Sequence, residues 1–549
     1  MNIKIAVVFL IAFSFSMQSQ VNSWFYLRAK NESFNPVFKE EGEKLIYTGT
    51  NSKLKSILNK YTILEFKKTF RNARKKNLKK TFFVVTNDDD LLNDLLTNAS
   101  NIFEFGEIIL EEDKKIFEPN DYGLTSTLGD NKGLQVNLDY LDFLNLPKAW
   151  YYTTGSKDVL IGISDARIDT TNNEFANKTT VLKESTISRG HGSGVAVVAA
   201  GQGDNEYGIV GVCYNCSILS TNYGDFKNMK QLIELSNAGA KVINCSWVGT
   251  KYYQTAQDVI NEITSNGTLI VAGAGNRDWR NTKGSLYYYP ASYDNVISVS
   301  AAMHRYEDVY DNIQISEKGS KYAANIRYFL GRTVGFKDKE NLKDPYIYQA
   351  STTTLNDKID ILTPAVDLFK FSQFVMYNKM EYTVEATSST APFVTGTIGL
   401  MYSMNPCFPL NEVESVIKLT ATNIGHIKQN KPFEGNYGAG MLNVGNAIEM
   451  VYDLYTKGET ATIENQNFTR WDFKLTSLSE KVLIQNQKFT ESSTLNLTAK
   501  NSIVIGKNTV LKPNIEGSII LKIDPTLEKE CDLVLREGFP NNKYYHPEK

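Results

Sequence analysis

Four polar side chains stand where a buried apolar run gives way to a turn or a helix start. Asp165 follows DVLIGIS, His191 heads HGSGVAVVAAG, Asn276 follows TLIVAGAG, and Ser388 precedes the helix-like APFVTGTIGLM. A serine, an imidazole and a carboxylate are the parts of a nucleophile activated by a base that an acid orients, and an amide can donate to a developing oxyanion. Singly, each has a plainer reading: Asp, Asn and Ser cap helices and turns, and a lone histidine packs or caps. Asp169 is a second candidate acid; Asp165 is preferred because it directly follows the apolar strand. The chain offers few substitutes. It holds four histidines, at 191, 304, 426 and 546, and three of them lie outside any motif. The five cysteines, at 213, 216, 245, 407 and 531, are too few for a disulfide scaffold, although Cys213 and Cys216 could close a short loop. Cys245 reads as a packing residue in a strand. Neither HExxH nor a doubled CxxC occurs, which argues against zinc hydrolases and zinc fingers, and the chemistry needs no cofactor.

The segments that must position these residues form an α/β pattern. Between 145 and 455, short apolar β-branched runs (DVLIGIS, KVINCSW, GTLIVAGAG, NVISVSA, KIDILTP) alternate with helix-like stretches, the mark of a parallel sheet covered on both faces. In such sheets, ligands and catalytic groups gather at strand ends and helix starts, which is where the four residues fall. The rhythm breaks at 302–356, read as a surface insertion. Residues 22–118 run strand, helix, strand, strand, helix, strand, the order of a ferredoxin-like α+β domain. Their basic run RNARKKNLKK at 71–80 reads as a solvated face. The chain carries 59 basic against 61 acidic side chains, so nothing points to nucleic acid. Residues 456–549 lack helical periodicity and read as a small β-rich domain. At the start, residues 1–20 place a lysine before a short apolar run and polar residues, as secretory signal peptides do. No later stretch is apolar enough to span a bilayer, so a secreted or periplasmic mature chain is expected.

Taken together, the order Asp, His, Asn, Ser with its flanking residues resembles the subtilisin-like serine proteases, the subtilases, over about 300 residues in the middle of the chain. The family's Asp-Thr/Ser-Gly appears as Asp165-Ala166-Arg167, its His-Gly-Thr as His191-Gly192-Ser193, and its Gly-Thr-Ser-x-Ala-x-Pro as Ala386 through Pro392. VINCSW, YPASYDNVISVSA and NYGAGMLNVGNAI agree as well. The resemblance implies a doubly wound parallel sheet and a secreted serine endopeptidase acting on polypeptides. Ser388 would be nucleophile, His191 general base, Asp165 its orienting acid, and Asn276 an oxyanion donor. Ser246, Trp247, Val248, Gly273, Ala274, Gly275 and Tyr288 would line the specificity pocket, narrowed by Val248 and Tyr288 toward small or unusually shaped residues. It further implies that 22–118 is a prodomain acting as intramolecular inhibitor and folding aid, with 119–144 as processing linker. The loop GDNEYGIVGVC at 203–213 resembles a family calcium loop, with Glu174 and Asn205 at ligand positions; a polar turn without an ion is the alternative. Arg167, Ala386 and Val248 depart from family glycines. Arg167 and Ala386 leave open a catalytically inactive binding or adhesion protein built on the same fold.

Overall fold

The computed structural model describes residues 22–42, 44–69, 75–123, 134–187, 190–277, 286–307, 313–315, 321–323, 325–336, 345–351, 353–383 and 386–540. The leader read at 1–20 and the first part of the basic run, 71–74, lie outside the described residues. The chain divides into two units, with the boundary between Lys114 and Lys115.

In the first unit a four-stranded antiparallel sheet runs in the order Ile63–Lys68, Thr81–Thr86, Ser23–Ala29, Phe103–Ile108. Two helices, Ser52–Leu58 and Asp90–Asn98, occupy the two crossovers, giving the ferredoxin-like arrangement expected. A hairpin of Phe38–Glu41 and Lys44–Tyr47 is added to it. Local chemistry sets these elements. Asn51 caps its helix by accepting the Leu54 N–H at 3.0 Å, and Phe25, Leu27, Phe82, Val84, Leu91 and Leu95 form the core. Lys75, Lys76 and Lys79 of the basic run are exposed, as a solvated face should be.

The second unit is built on a seven-stranded parallel sheet. Its order is Ile361–Thr363, Val296–Ala301, Leu269–Gly273, Ala240–Cys245, Leu160–Ser164, Ser217–Thr221, Thr179–Val181. The strand Leu160–Ser164 lies between Ser217–Thr221 and Ala240–Cys245, so the winding reverses beside it and leaves a crevice at the carboxyl ends. Helices Lys230–Asn237 and Gln254–Ser265 pack with one set of apolar side chains, including Leu235, Ile260, Ile243 and Ile270. Helices His191–Ala200, Ala391–Met404 and Val444–Tyr455 share another core. The small residues of the first two let their backbones come close: a Cβ on Gly396 would stand 2.7 Å from the Ala199 carbonyl oxygen.

Three sequence expectations change. The stretch 119–144 is not simply a linker, because Tyr122, Val136, Leu138, Tyr140 and Leu141 are buried in the core of the second unit; residues 124–133 lie outside the described residues. Apolar residues among polar ones had disguised a packed segment. The insertion at 302–356 is only partly superficial, since Met303, His304, Asn325, Phe329 and Leu330 are buried. Beyond Tyr455 the β-rich region is more regular than its composition suggested. Strands Thr460–Glu464, Lys481–Gln485 and Ile503–Ile505 stack in parallel, as do Asp472–Ser477, Thr494–Ala499 and Ser518–Ile523, with a third stack between them. The result is a three-coil parallel β-solenoid whose interior holds Ile463 and Ile484, Phe468 and Phe489, and Leu475 and Leu497. It is tied back by a Cys407–Cys531 disulfide and by Glu412, which accepts from the Thr476 hydroxyl at 2.7 Å. Cys213 and Cys216 are also paired, while Cys245 is free and buried.

Candidate active site

Asp165 is delivered by the end of strand Leu160–Ser164 and is fully buried. A carboxylate there needs donors, and its Oδ1 has three: the Ala166 N–H at 2.6 Å, His191 Nδ1 at 2.6 Å and the Tyr223 hydroxyl at 3.0 Å. His191 opens the helix His191–Ala200, which starts after Gly190 and presses against the strand end. A Cβ on Gly192 would stand 2.0 Å from the Ala166 carbonyl oxygen, so no larger residue fits behind the histidine. Burial alone would lower the His191 pKa, but the hydrogen bond to Asp165 and that carboxylate's charge outweigh it and hold the pKa above the ordinary imidazole value. With Nδ1–H donated to Asp165, Nε2 is left as a proton acceptor. Asp169 is elsewhere: its Oδ1 accepts from Thr171 N and Oγ1, at 3.1 and 2.6 Å, closing its own turn.

Ser388 sits in the 3₁₀ turn Thr387–Ser389 just before the helix Ala391–Met404, whose first turn carries Pro392. Its Oγ donates to the Ser246 carbonyl at 3.1 Å, and Ser246 Oγ donates back to the Ser388 carbonyl at 2.9 Å. The nucleophile candidate thus rests on Ser246. Rotation about χ1 is the motion that would turn it toward His191, which lines the same cavity of about 280 Å³ together with Asn276; catalytic hydrogen bonds commonly tighten only when substrate is present. Asn276 is held by its carbonyl end: Oδ1 accepts from Thr387 N at 2.7 Å and from Thr387 Oγ1 at 2.9 Å. That leaves Nδ2 as the free donor. Thr387 Oγ1 also accepts the Gly275 N–H at 3.0 Å, at a glycine whose φ of 106° suits no other residue. Neither Thr387 nor Tyr223 was singled out from the sequence. Thr387 lay inside a quoted motif, and Tyr223 two residues past a strand end was the available signal.

A second cavity of about 350 Å³ adjoins Ser388. Of the expected pocket residues, Ser246, Trp247, Val248, Gly273, Gly275 and Tyr288 line it, joined by Arg277 and Thr387. Ala274 does not; it is buried in a neighbouring apolar cluster. Val248 and Tyr288 both line this cavity, at the positions expected to set its width. The departures from family glycines cost no backbone strain. Arg167 has no positive φ and reaches Glu184 at 2.9 Å on the surface, and Ala386 is extended at φ −171°.

Glu174 accepts from the 203–213 loop, to which Asn205 belongs. Glu174 is fully buried; Oε1 accepts the Ile209 N–H at 2.9 Å, and Oε2 is a buried oxygen with no hydrogen-bond partner. Asp121, missed in the sequence, is equally buried, with Oδ1 accepting from Asp204 N at 3.1 Å and Oδ2 unpartnered. Asn205 Oδ1 accepts from Tyr207 N at 3.0 Å. Burial first, then the neighbouring Asp121 charge, pushes the Glu174 carboxyl up to about 9, and burial pushes Asp121 up to about 6. Two unpaired acidic oxygens lacking compensation suit a hard cation, although no group of three or more His, Cys, Asp or Glu able to hold a metal occurs among the described residues.

The family model for the Subtilase family matches residues 97–440, well over half of the chain. The chain belongs to the subtilase family. It is 26% identical over 271 residues to the thermophilic serine proteinase of Bacillus sp. (strain AK1), covering 46% of this subtilase and 55% of that protein. It is 25% identical over 267 residues to subtilisin DY of Bacillus licheniformis, covering 47% and 77%. The chain thus spans about half the length of the first of these relatives. The crystal structure of fervidolysin from Fervidobacterium pennivorans aligns with 78% of this subtilase and 61% of that chain, at 16% identity and a TM-score of 0.42. Among the described residues, no helix is long and apolar enough to cross a membrane.

Proposed function

We propose that this subtilase is a secreted serine endopeptidase, made as a zymogen, that hydrolyses peptide bonds through Ser388, His191 and Asp165. One observation carries the reading: a buried carboxylate 2.6 Å from the Nδ1 of a part-exposed histidine, with that histidine, Ser388 and Asn276 lining one cavity. Ser388 Oγ attacks the scissile carbonyl carbon while His191 Nε2 takes its proton. Asp165 keeps the imidazole in the productive tautomer and stabilises the imidazolium. Asn276 Nδ2 and the Ser388 N–H receive the oxyanion. As the tetrahedral intermediate collapses, His191 returns the proton to the leaving amine, and water then repeats the cycle on the acyl-enzyme. The second cavity takes the side chain on the acyl side of the cleaved bond.

The ferredoxin-like unit serves as prodomain, a folding aid and intramolecular inhibitor. Because Phe117, Tyr122 and Leu138 are buried in the second unit, processing falls ahead of them. Glu174, Asp121 and Asn205 would hold a structural Ca²⁺, whose charge would offset the buried carboxylates; it takes no part in the reaction. The ordinary backbone at Arg167 and Ala386 supports the active reading over an inactive binding protein. The test is hydrolysis of a quenched fluorescent peptide library: wild type cleaves and sheds its first unit, and Ser388→Ala does neither. In Asn276→Ala, kcat should fall about 10²–10³-fold, a size already known for this donor in the family. A folded wild type that cleaves nothing would overturn the proposal.

A further inference from the structure

The acid of the pair carries one contact that none of the family motifs supplies. Tyr223 lies two residues beyond strand Ser217–Thr221, next to the strand that ends at Asp165. Its hydroxyl donates to Asp165 Oδ1 at 3.0 Å and lies 3.5 Å from His191 Nδ1. Its backbone is fastened as well: Gln231 Nε2 donates to the Tyr223 carbonyl at 2.6 Å, and a Cβ on the next residue, Gly224 at φ 64°, would stand 2.1 Å from the Gln231 side chain. The family pattern places a hydroxyl residue directly after the acid; here that residue is Ala166, which has none.

All three donors to Asp165 converge on Oδ1, while Oδ2 is buried without a hydrogen-bond partner. Among the described residues, few other ionisable groups face the pair. The Cys245 thiol lies on the adjacent strand and is kept neutral by burial, and Lys370, in the cavity beside His191, is 3.6 Å from Glu381. The Tyr223 hydroxyl, a neutral donor that shares Oδ1 with the Ala166 N–H, therefore weakens the hold of Asp165 on a proton at His191.

We propose that Tyr223 is a positioning residue for the catalytic pair: its hydroxyl shares the Asp165 charge with His191 and sets the pH at which His191 is free to act as base. This rests on the proposed triad. Without the hydroxyl, Asp165 favours the imidazolium more strongly, so His191 stays protonated to higher pH.

The test is the pH profile of kcat/KM for peptide hydrolysis by wild type and Tyr223→Phe, which keeps the ring, with thermal unfolding recorded for both. The acid limb is expected to move up by about half to one pH unit, which lowers activity below the limb by about 3- to 10-fold, while the alkaline plateau stays within about 3-fold. In an Asp165→Asn background the same change should have no further effect, because the tyrosine acts through Asp165. The low-field proton resonance of the His191 Nδ1–H, read by NMR on the folded protein, should also shift in Tyr223→Phe, independently of activity. An unmoved limb and an unmoved resonance in a folded, active variant would overturn the inference while leaving the triad standing. An inactive wild type would instead strike the triad itself.

Discussion

Thr387→Val isolates the support beneath the oxyanion donor. Valine keeps the shape of the buried threonine and removes its hydroxyl, which donates to Asn276 Oδ1 at 2.9 Å and accepts from Gly275 N at 3.0 Å. Leaving the Gly275 N–H without a partner costs about 1–3 kcal/mol, and losing the bond to Asn276 costs about 0.5–1.5 kcal/mol more. The melting temperature should therefore drop by several degrees. Asn276 keeps its bond from the Thr387 N–H at 2.7 Å, so its amide loosens but is not released. Since deleting such a donor outright costs about 10²–10³-fold in kcat, a loss near ten-fold is expected. That loss should fall on kcat and leave KM nearly unchanged, because the amide meets substrate most strongly in the transition state. Thr387→Ser, which restores the hydroxyl, should recover most of the rate. Steady-state hydrolysis of one peptide substrate beside calorimetric unfolding reads both effects. A valine variant that melts early but keeps its kcat would show that the hydroxyl supports the fold alone, and the reasoning about Asn276 would fail.

Two further outcomes follow from the site. Because Asp165 raises the His191 pKa, the acid limb of kcat/KM should lie above the ordinary imidazole value, with activity growing as pH climbs through it; Asp165→Asn should lower kcat by about 10⁴-fold and move that limb down. At the 203–213 loop, Ca²⁺ at about 100 times its dissociation constant should stabilise the protein by about 2.7 kcal/mol, read as a rise in melting temperature that a chelator reverses. Glu174→Gln keeps a carbonyl for the Ile209 N–H and should abolish that rise; an equal rise in the variant would place the ion elsewhere.

What the sequence disclosed follows from how local each signal is. Asp165, His191, Asn276 and Ser388 were legible because each borders an apolar run, Asp165 and Asn276 at its end and His191 and Ser388 ahead of its start, and a parallel α/β fold converts that one-dimensional mark into proximity at one edge of the sheet. The ferredoxin-like unit was legible for the same reason, its strands and helices alternating with clear periods. Thr387 and Tyr223 were harder, since their importance is a hydrogen bond to a residue more than fifty positions away, which no spacing reveals. The three-coil solenoid escaped because its coils repeat in shape and in buried Ile, Leu and Phe rather than in identity. Cys407 and Cys531 lie 124 residues apart, and only the return of the tail to the second unit brings them together. The stretch at 119–144 misled because a few aromatic and aliphatic residues among polar ones are enough to anchor a segment in a core.

An activated Ser388 must react with a serine-directed fluorophosphonate, and mass spectrometry of the digested, labelled protein reads where the adduct forms. One adduct is expected, on Ser388, that forms faster as pH rises through the His191 titration and disappears in Ser388→Ala and His191→Ala. A folded protein, freed of its first unit, that takes no label at Ser388, or takes it equally well without His191, would rule out nucleophilic catalysis by this pair.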